Sequence, residues 1–242
     1  MLDNNVARAA KLDTATLSDA LDRHGLVGQC SRIKPRSASF RMTGRAWTLR
    51  YGPAGHPAGT VGDYIDDLQP GTVVVLDNSG REDCTVWGDI LTEIASRKGI
   101  AGTLIDGISR DVSLCLDLNY PVFSRDHWMR TGKDRVQVEA TQVPVNVGNV
   151  RVCPGDLIRG DADGVVVIPA SFEDRVLAAA EEIQSAEDAI RESVRHILCL
   201  YPFEPALLAQ HGDGRKVKGR TPVHNAELGA APGQYVMVRY GD

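Results

Sequence analysis

Apolar runs and helical stripes alternate along most of the chain and predict a succession of strands and helices. Residues 73–76 form a wholly apolar run after the turn Gln69-Pro70-Gly71, as expected for a strand that is covered on both faces. Residues 88–98 carry apolar side chains at helical spacing and end at Gly99, and a second apolar run follows at 104–105. This order of strand, helix and strand predicts a βαβ unit and an α/β fold.

Weaker patterns precede this unit. Thr16 followed by Asp19 indicates a capping box at the start of a helix that Gly25 would end. Residues 40–51 alternate loosely and are rich in β-forming side chains, which predicts a strand, and the Gly/Pro-rich residues 52–62 predict a loop.

A third strand is predicted at Val165–Ile168, where Pro169 would stop it before a long helix over 172–197. Beyond this helix the periodicity dissolves into Pro, Gly and mixed charge, apart from a β-like run at 235–240. We therefore predict one domain over residues 1–198 and a C-terminal extension over residues 199–242.

Charge and cysteine content narrow the function classes. The formal net charge is -5 and no long Lys/Arg run is present, so nucleic acid and anionic membrane surfaces are not expected partners. No apolar run approaches the roughly 20 residues that span a bilayer, and the N-terminus lacks a signal-peptide pattern. The five widely spaced cysteines suit free buried thiols rather than zinc ligands, so we expect a cytoplasmic protein.

Polar residues and glycines cluster where the two predicted parallel strands end. One link runs from Asp77 to the helix start Gly88-Asp89-Ile90-Leu91, and the other is Asp106-Gly107-Ile108-Ser109-Arg110-Asp111. Unpaired amides at a helix N-terminus bind carboxylates, and an adjacent Arg and Asp place a cation beside a hard oxygen ligand. The combination predicts a site for a 2-oxo acid chelated to Mg²⁺. The alternatives are an ordinary helix cap and a solvated Arg–Asp pair.

Other chemistry has less support in the sequence. The lysines, including Lys98 and Lys133, stand in polar surroundings, which disfavours a Schiff-base aldolase. Lys133 and Arg135 belong to a solvated loop, a subunit contact or an anion site, and the sequence leaves these three possibilities open. The histidines show no metal-ligand spacing, and no phosphate-binding glycine motif is present.

Four segments resemble the RraA-like family, which includes the 4-hydroxy-4-methyl-2-oxoglutarate / 4-carboxy-4-hydroxy-2-oxoadipate aldolases. They are WGDILTEIASRKGIAGTLIDGISRD at 87–111, MRTGKDRV at 129–136, GDLIRGDADGVVVIP at 155–169 and TATLSDAL at 14–21. The resemblance implies a single domain of the swivelling β/β/α type, with a βαβ core and a long C-terminal helix.

The resemblance also implies roles for individual residues. Asp111 would bind the divalent metal, Mg²⁺ or Mn²⁺, and Arg110 would contact the pyruvyl oxygen. The substrate carboxylate would lie against Gly88 and the backbone amides of Asp89, Ile90 and Leu91. An acidic residue on the last long helix of an adjacent subunit would help to order water at the metal; Glu187 is our candidate, with Glu182 and Glu192 as rivals. Arg110, Asp89 and Glu187 are thus the expected catalytic residues.

The function implied by the resemblance is that of a metal-dependent class II pyruvate aldolase. It would cleave a 4-hydroxy-2-oxo acid to pyruvate, with oxaloacetate decarboxylation as a related activity, in a homotrimer or homohexamer with sites between subunits. One alternative is a non-catalytic regulator that binds RNase E, a type in which the Asp at the position of Asp111 is missing. Another is a dehydratase or hydrolase of a sugar-derived 2-oxo acid that uses the same site.

Overall fold

The computed structural model describes residues 3–200, with side chains as far as residue 195, and residues 222–223 and 236–237. The helices are α1 (Asn4–Ala9), α2 (Thr14–Arg23), α3 (Asp89–Arg97), α4 (Val112–Asp117) and α5 (Glu173–Leu200), with a 3₁₀ helix at Asp63–Asp67. The strands are β1 (Lys34–Pro35), β2 (Met42–Pro53), β3 (Thr72–Thr85), β4 (Gly102–Ser109), β5 (Val122–His127), β6 (Val136–Thr141), β7 (Val145–Val147), β8 (Val150–Val152), β9 (Leu157–Gly160), β10 (Val165–Ile168), β11 (Pro222–Val223) and β12 (Val236–Met237).

The chain forms two compact units, Met1–Gln184 and Ser185–Asp242. Most of the predicted extension, 199–242, lies outside the described residues, as does most of the β-like run at 235–240. The boundary between residues 198 and 199 therefore stays a prediction.

An eight-stranded sheet organises the first unit, in the order β1-β5-β4-β3-β2-β9-β10, with β6 also paired to β2. Strands β2, β3, β4 and β5 run parallel, whereas β1, β6, β9 and β10 pair antiparallel to their neighbours. The predicted βαβ unit is confirmed as β3-α3-β4, and α4 connects β4 to β5 in the same way. The carboxyl ends of these four parallel strands therefore share one edge of the sheet.

The apolar pattern explains where the elements pack. Residues 73–76 are fully buried in the centre of the sheet, and all of β4 is buried. A second apolar cluster joins α1, α2 and the first half of α5 to β9 and β10 through side chains such as Leu21, Leu157 and Val176. The strand predicted at Val165–Ile168 has these bounds, and the predicted long helix is α5. The α/β class and the long C-terminal helix are thus confirmed.

Three local predictions are wrong. The link predicted to begin at Asp106 begins at Arg110, because β4 continues to Ser109. The N-cap of α2 is Asp13, whose carboxylate accepts a hydrogen bond from Thr16 N at 2.7 Å, and Thr16 lies buried inside the helix. The residues after Asp77, expected to form a loop, continue β3 to Thr85, because Ser79 and Gly80 adopt positive φ angles of 54° and 67°. They form a bulge that shifts the register against β4 and lets the strand resume.

None of the described helices combines the length and apolarity needed to cross a membrane.

Four cysteines have described side chains, and all four thiols are free. Cys30, Cys84 and Cys115 are buried and Cys153 is partly buried. Burial raises the pKa of the Cys30 thiol to about 12 and that of the Cys115 thiol to about 11, so neither forms a thiolate readily. These cysteines act as small apolar side chains, as expected.

Candidate active site

The candidate site lies where β3 leads into α3 and β4 leads into α4. Because β3 and β4 are parallel neighbours, their following links run side by side, and Arg110 N donates a hydrogen bond to Trp87 O at 3.0 Å. Gly88, Asp89, Arg110 and Asp111 are thereby brought together, although they are more than twenty positions apart along the chain. Asp106 is not part of this group: it is buried within β4 and pairs with Arg125.

Asp111 occupies an unusual backbone conformation. It is the N-cap of α4 but lies in the left-handed region, with φ 56° and ψ 43°, and its side chain makes no capping hydrogen bond. Asp is among the few residues with a side chain that tolerate this region. Its Oδ2 instead accepts hydrogen bonds from Asp89 N at 3.2 Å and pairs with Arg110 Nε at 3.1 Å. The backbone thus directs the carboxylate towards the start of α3 rather than towards its own helix.

Gly88 permits this close approach. Its φ of −153° is open to any residue, so conformation alone does not require glycine. A Cβ atom at this position would lie 2.8 Å from Asp111 Oδ2, closer than real Cβ contacts, and 3.1 Å from Arg110 Nε, which is tighter than most of them. The absence of a side chain at residue 88 therefore holds the carboxylate and the guanidinium against the start of α3.

We expect Gly88→Ala to fold but to lower turnover on the order of 10²-fold, because the added methyl group displaces Asp111 and Arg110 from their present positions. Circular dichroism melting would establish the fold, and kcat/KM for pyruvate release, the reaction that the family resemblance implies, would measure the effect. Near-normal turnover in the folded variant would show that this close packing is not needed.

The amides at the start of α3 already attract carboxylate oxygens. Asp89 N binds Asp111 Oδ2, and Ile90 N binds Asp89 Oδ1 at 2.8 Å. Thr92 N donates to Gly88 O at 3.0 Å, whereas Leu91 N has no hydrogen-bond partner among the described residues. Of the three predicted carboxylate-binding amides, one is thus available and two would exchange an internal carboxylate for that of a ligand. The partial positive charge at the helix N-terminus attracts the internal carboxylates and would attract the carboxylate of a ligand in the same way.

A cleft of about 230 Å³ opens beside these groups. It is lined by Val61, Gly62, Thr85, Val86, Trp87, Gly88, Asp89, Ile90, Leu91, Arg110, Thr131, Gly132 and Lys133. Trp87 is buried and stacks on Tyr120, and its indole N–H donates to Thr92 Oγ1 at 2.9 Å. This side of the cleft is therefore firmly held. Ile90 is 70% exposed at the rim. Of the predicted residues, Gly88, Asp89, Ile90, Leu91 and Arg110 line the cleft, with Asp111 in contact with Arg110.

The 131–135 turn separates the roles of its two basic residues. Arg135 Nη1 donates to the carbonyl oxygens of Thr131 and Lys133, at 3.2 and 3.1 Å, and thereby orders the turn. Lys133 is exposed and lines the cleft. The structure therefore favours Lys133 over Arg135 as the residue of this pair that would meet an anion.

Several lining residues were not identified from the sequence alone. Val61 and Gly62 come from the Gly/Pro-rich loop, and Thr131 reaches the cleft through a bridge to Thr85. Their positions depend on pairing between segments that are distant in sequence. Local periodicity therefore did not indicate that these residues line the cleft. The likeness of 129–136 to a family segment was the available indication for the turn.

The three acidic candidates on α5 each lie near an arginine of the same protomer. Glu187 lies in the second unit, and its Oε2 accepts a hydrogen bond from Arg191 at 2.6 Å. Glu192 pairs with Arg195 at 3.6 Å, and Glu182, in the first unit, lies 3.9 Å from Arg23. The expected role of Glu187 at the site of an adjacent subunit stays a prediction, because these contacts lie within one protomer.

Three comparisons with known proteins bear on this site. A family model described as "RraA-like: Aldolase/RraA" matches residues 14–167. Protein DlpA of Legionella pneumophila is 37% identical over 196 residues, which are 80% of this chain but 32% of DlpA. A Halalkalibacterium halodurans protein named "Putative 4-hydroxy-4-methyl-2-oxoglutarate aldolase" is 38% identical over 183 residues, which are 75% of this chain and 83% of that protein.

Solved structures agree with the family model. An uncharacterized protein from Pseudomonas syringae pv. tomato has a TM-score of 0.75 and 39% identity, covering 80% of this chain and 92% of its own. Streptomyces coelicolor RraAS2, described as an unusual member of the RNase ES inhibitor RraA protein family, has a TM-score of 0.72 and 27% identity, covering 78% and 96%. With the family model matching well over half of its residues, the chain belongs to the RraA-like family.

Proposed function

We propose that this chain is a divalent-metal-dependent class II pyruvate aldolase that cleaves a 4-hydroxy-2-oxo acid to pyruvate and also decarboxylates oxaloacetate. The observation that carries the proposal is the placement of Arg110 and Asp111 against the glycine at the start of α3. A cation, a carboxylate and helix N-terminal amides there surround one end of a cleft. The aldolase name of the Halalkalibacterium halodurans relative supports the same reaction class.

The donor set fits a largely hydrated Mg²⁺ or Mn²⁺ ion. Within the described residues no group of three or more His, Cys, Asp or Glu side chains could hold a metal, so Asp111 would be the protein ligand and water would supply the rest. Its side chain is 37% exposed, and its Oδ1 has no hydrogen-bond partner in the described part of the chain. Mg²⁺ commonly keeps several waters when one or two carboxylates bind it. Such an ion would act as a Lewis acid on the 2-oxo group.

The remaining groups would position and stabilise the substrate. The C1 carboxylate would bind at the amides of Asp89, Ile90 and Leu91, where carboxylate oxygens are already accepted. Arg110 would then lie beside the C2 oxygen, on which negative charge develops as the C3–C4 bond breaks. A preorganised cation at this point lowers the barrier because it meets charge that is larger in the transition state than in the substrate.

Proton transfer would use the carboxylates near the cleft. Cleavage requires the C4 hydroxyl to lose its proton and C3 to gain one, so that pyruvate and a carbonyl compound are released. Asp89 lines the cleft, and we propose that it accepts the C4 proton directly or through a water molecule. Glu187 of an adjacent subunit is our candidate for ordering that water. We propose a homotrimer or homohexamer for this reason.

Lys133 supports a substrate with a second anionic group. It lines the same cleft as Arg110, and the turn that carries it is held by Arg135. A dicarboxylic 4-hydroxy-2-oxo acid would place its distal carboxylate towards this second cation. We therefore propose that dicarboxylic substrates are preferred over 4-hydroxy-2-oxopentanoate, which has a single carboxylate.

A second candidate function is that of a non-catalytic regulator. The structural likeness to RraAS2 favours it, since that protein is described as a member of an RNase inhibitor family. Asp111 argues for the enzyme, because the family resemblance implies that the regulator type lacks an Asp at this position. A dehydratase or hydrolase of a sugar-derived 2-oxo acid would use the same groups and differ in substrate.

Pyruvate release, coupled to lactate dehydrogenase, tests the proposal. We expect release from 4-hydroxy-4-methyl-2-oxoglutarate and from oxaloacetate with Mg²⁺, and its loss on addition of EDTA, with restoration by excess Mn²⁺. Slower release from 4-hydroxy-2-oxopentanoate would support the dicarboxylate preference. No release from any of the three would contradict the aldolase and direct attention to the regulator or to another 2-oxo acid reaction.

A further inference from the structure

The Gly/Pro-rich segment 54–62 forms one wall of the cleft. It follows β2, and its last residues, Val61 and Gly62, line the cleft. A Cβ atom on Gly62 would lie 3.2 Å from Leu91 Cδ2, so the segment abuts the start of α3 at one of the proposed carboxylate-binding residues. Any outward movement of this wall would widen the cleft beside the substrate.

A single side chain fastens this wall from the neighbouring strand. Gln137 is in β6, and its Oε1 accepts hydrogen bonds from Gly55 N at 2.9 Å and Gly59 N at 3.0 Å. A Cβ atom on Gly59 would lie 3.1 Å from both Cβ and Oε1 of Gln137, so the glycine lets the side chain lie directly on the segment. Two amides four positions apart are thus held by one oxygen atom.

The other attachments of the wall are main-chain bonds and one phenol. Val138 N donates to Thr60 O at 2.9 Å, and Tyr51 Oη donates to Val61 O at 2.7 Å. Arg135 lies just before β6, and its carbonyl oxygen accepts a hydrogen bond from Ala54 N. Its guanidinium orders the 131–135 turn on the opposite side of the cleft. The first residues of β6 therefore connect both sides of the cleft, and Gln137 contributes the side-chain part of that connection.

We propose that Gln137 is a positioning residue that holds segment 54–62 as a fixed wall of the cleft beside Leu91 and thereby keeps the start of α3 ready to bind the C1 carboxylate of a substrate. The inference about substrates rests on the proposed aldolase function, whereas the inference about the wall does not. An amide oxygen is needed only as an acceptor of two N–H groups, since Gln137 Nε2 has no hydrogen-bond partner among the described residues. A carboxylate could replace it, but a thioether could not.

The test compares two substitutions of Gln137. Gln137→Met keeps the length of the side chain and removes the hydrogen-bond acceptor, whereas Gln137→Glu keeps the acceptor. The control is Gln142→Met, because Gln142 Oε1 accepts from Thr48 N at 3.3 Å and so provides the same kind of bond beyond the far end of β6. The rate of hydrogen exchange at the amides of residues 55 and 59 measures how firmly the wall is held. Steady-state kinetics on 4-hydroxy-4-methyl-2-oxoglutarate and on oxaloacetate measure substrate binding, since both substrates carry the C1 carboxylate.

For Gln137→Met we expect roughly tenfold faster exchange at these two amides, as two hydrogen bonds are lost. We expect a KM about tenfold higher for both substrates, with kcat changed less than about threefold. Gln137→Glu should restore both readouts, and Gln142→Met should alter neither. A general loss of stability would instead lower kcat together with the melting temperature, in Gln142→Met as well as in Gln137→Met.

Unchanged exchange in Gln137→Met would overturn the role of Gln137 in holding the wall. Faster exchange with an unchanged KM for both substrates would overturn the role in substrate binding. If the wild-type protein released no pyruvate, the role in substrate binding would fall together with the proposed function, and the exchange measurement would still decide whether Gln137 holds the wall.

Discussion

Asp111→Asn should abolish metal-dependent pyruvate release, with a loss of roughly 10³-fold or more, while the protein remains folded. Asn is the informative replacement, because it tolerates the left-handed backbone that residue 111 adopts at φ 56°. Ala at this position would add backbone strain to the loss of the carboxylate. The Asn variant also keeps an oxygen that can accept from Asp89 N, so the charge and its affinity for a cation are what it removes.

Titration calorimetry with Mn²⁺, pyruvate release and thermal melting would be measured together on this variant. Asp117→Asn is a suitable control, since Asp117 is an exposed carboxylate at the end of the same helix. Turnover within a few-fold of wild type would remove Asp111 from the metal site. A protein that melts much earlier would assign Asp111 a structural role at the start of α4.

Arg110→Lys should lower kcat/KM for pyruvate release by about 10²–10³-fold, although the positive charge is retained. The guanidinium pairs with Asp111 through Nε at 3.1 Å, which leaves its terminal nitrogens to meet a second oxygen. Lysine presents one compact ammonium group and cannot bind the carboxylate and a developing oxyanion in the same planar geometry.

The control for this substitution is Arg97→Lys, because Arg97 is exposed at the other end of α3 and pairs with Glu93 on the surface. Comparable kcat/KM values for Arg110→Lys and the wild type would exclude Arg110 from the reaction. An increase in KM alone, with kcat unchanged, would assign it to ground-state binding rather than to the developing charge.

The centre of the candidate site was predictable because it depends on strong local signals. The apolar run at 73–76 and the helical spacing of 88–98 gave a βαβ unit, and parallel neighbours bring their following links together. The closeness of Gly88 to Arg110 followed from that geometry. Its atomic reason, the approach of Asp111 to an absent Cβ, required coordinates.

The rest depended on features that periodicity does not report. The bulge at Ser79 and Gly80 extends β3 through residues whose polar character suggested a loop. Asp13 competes with Thr16 for the cap of α2, and both residue types are good caps. The wall of the cleft is held by β6, a strand that local periodicity did not indicate and that reaches the site through its long-range pairing with β2.

The left-handed backbone at Asp111 also limits how a lineage descended from this chain could change at that position. Replacement by most residues would strain the start of α4, whereas Asn and Gly fit this conformation and each lies a single nucleotide change away from an Asp codon. The carboxylate could therefore be lost in one mutational step that the fold tolerates. The carboxylate at this position is therefore easier to lose than the fold, so a related protein can keep the same structure without it.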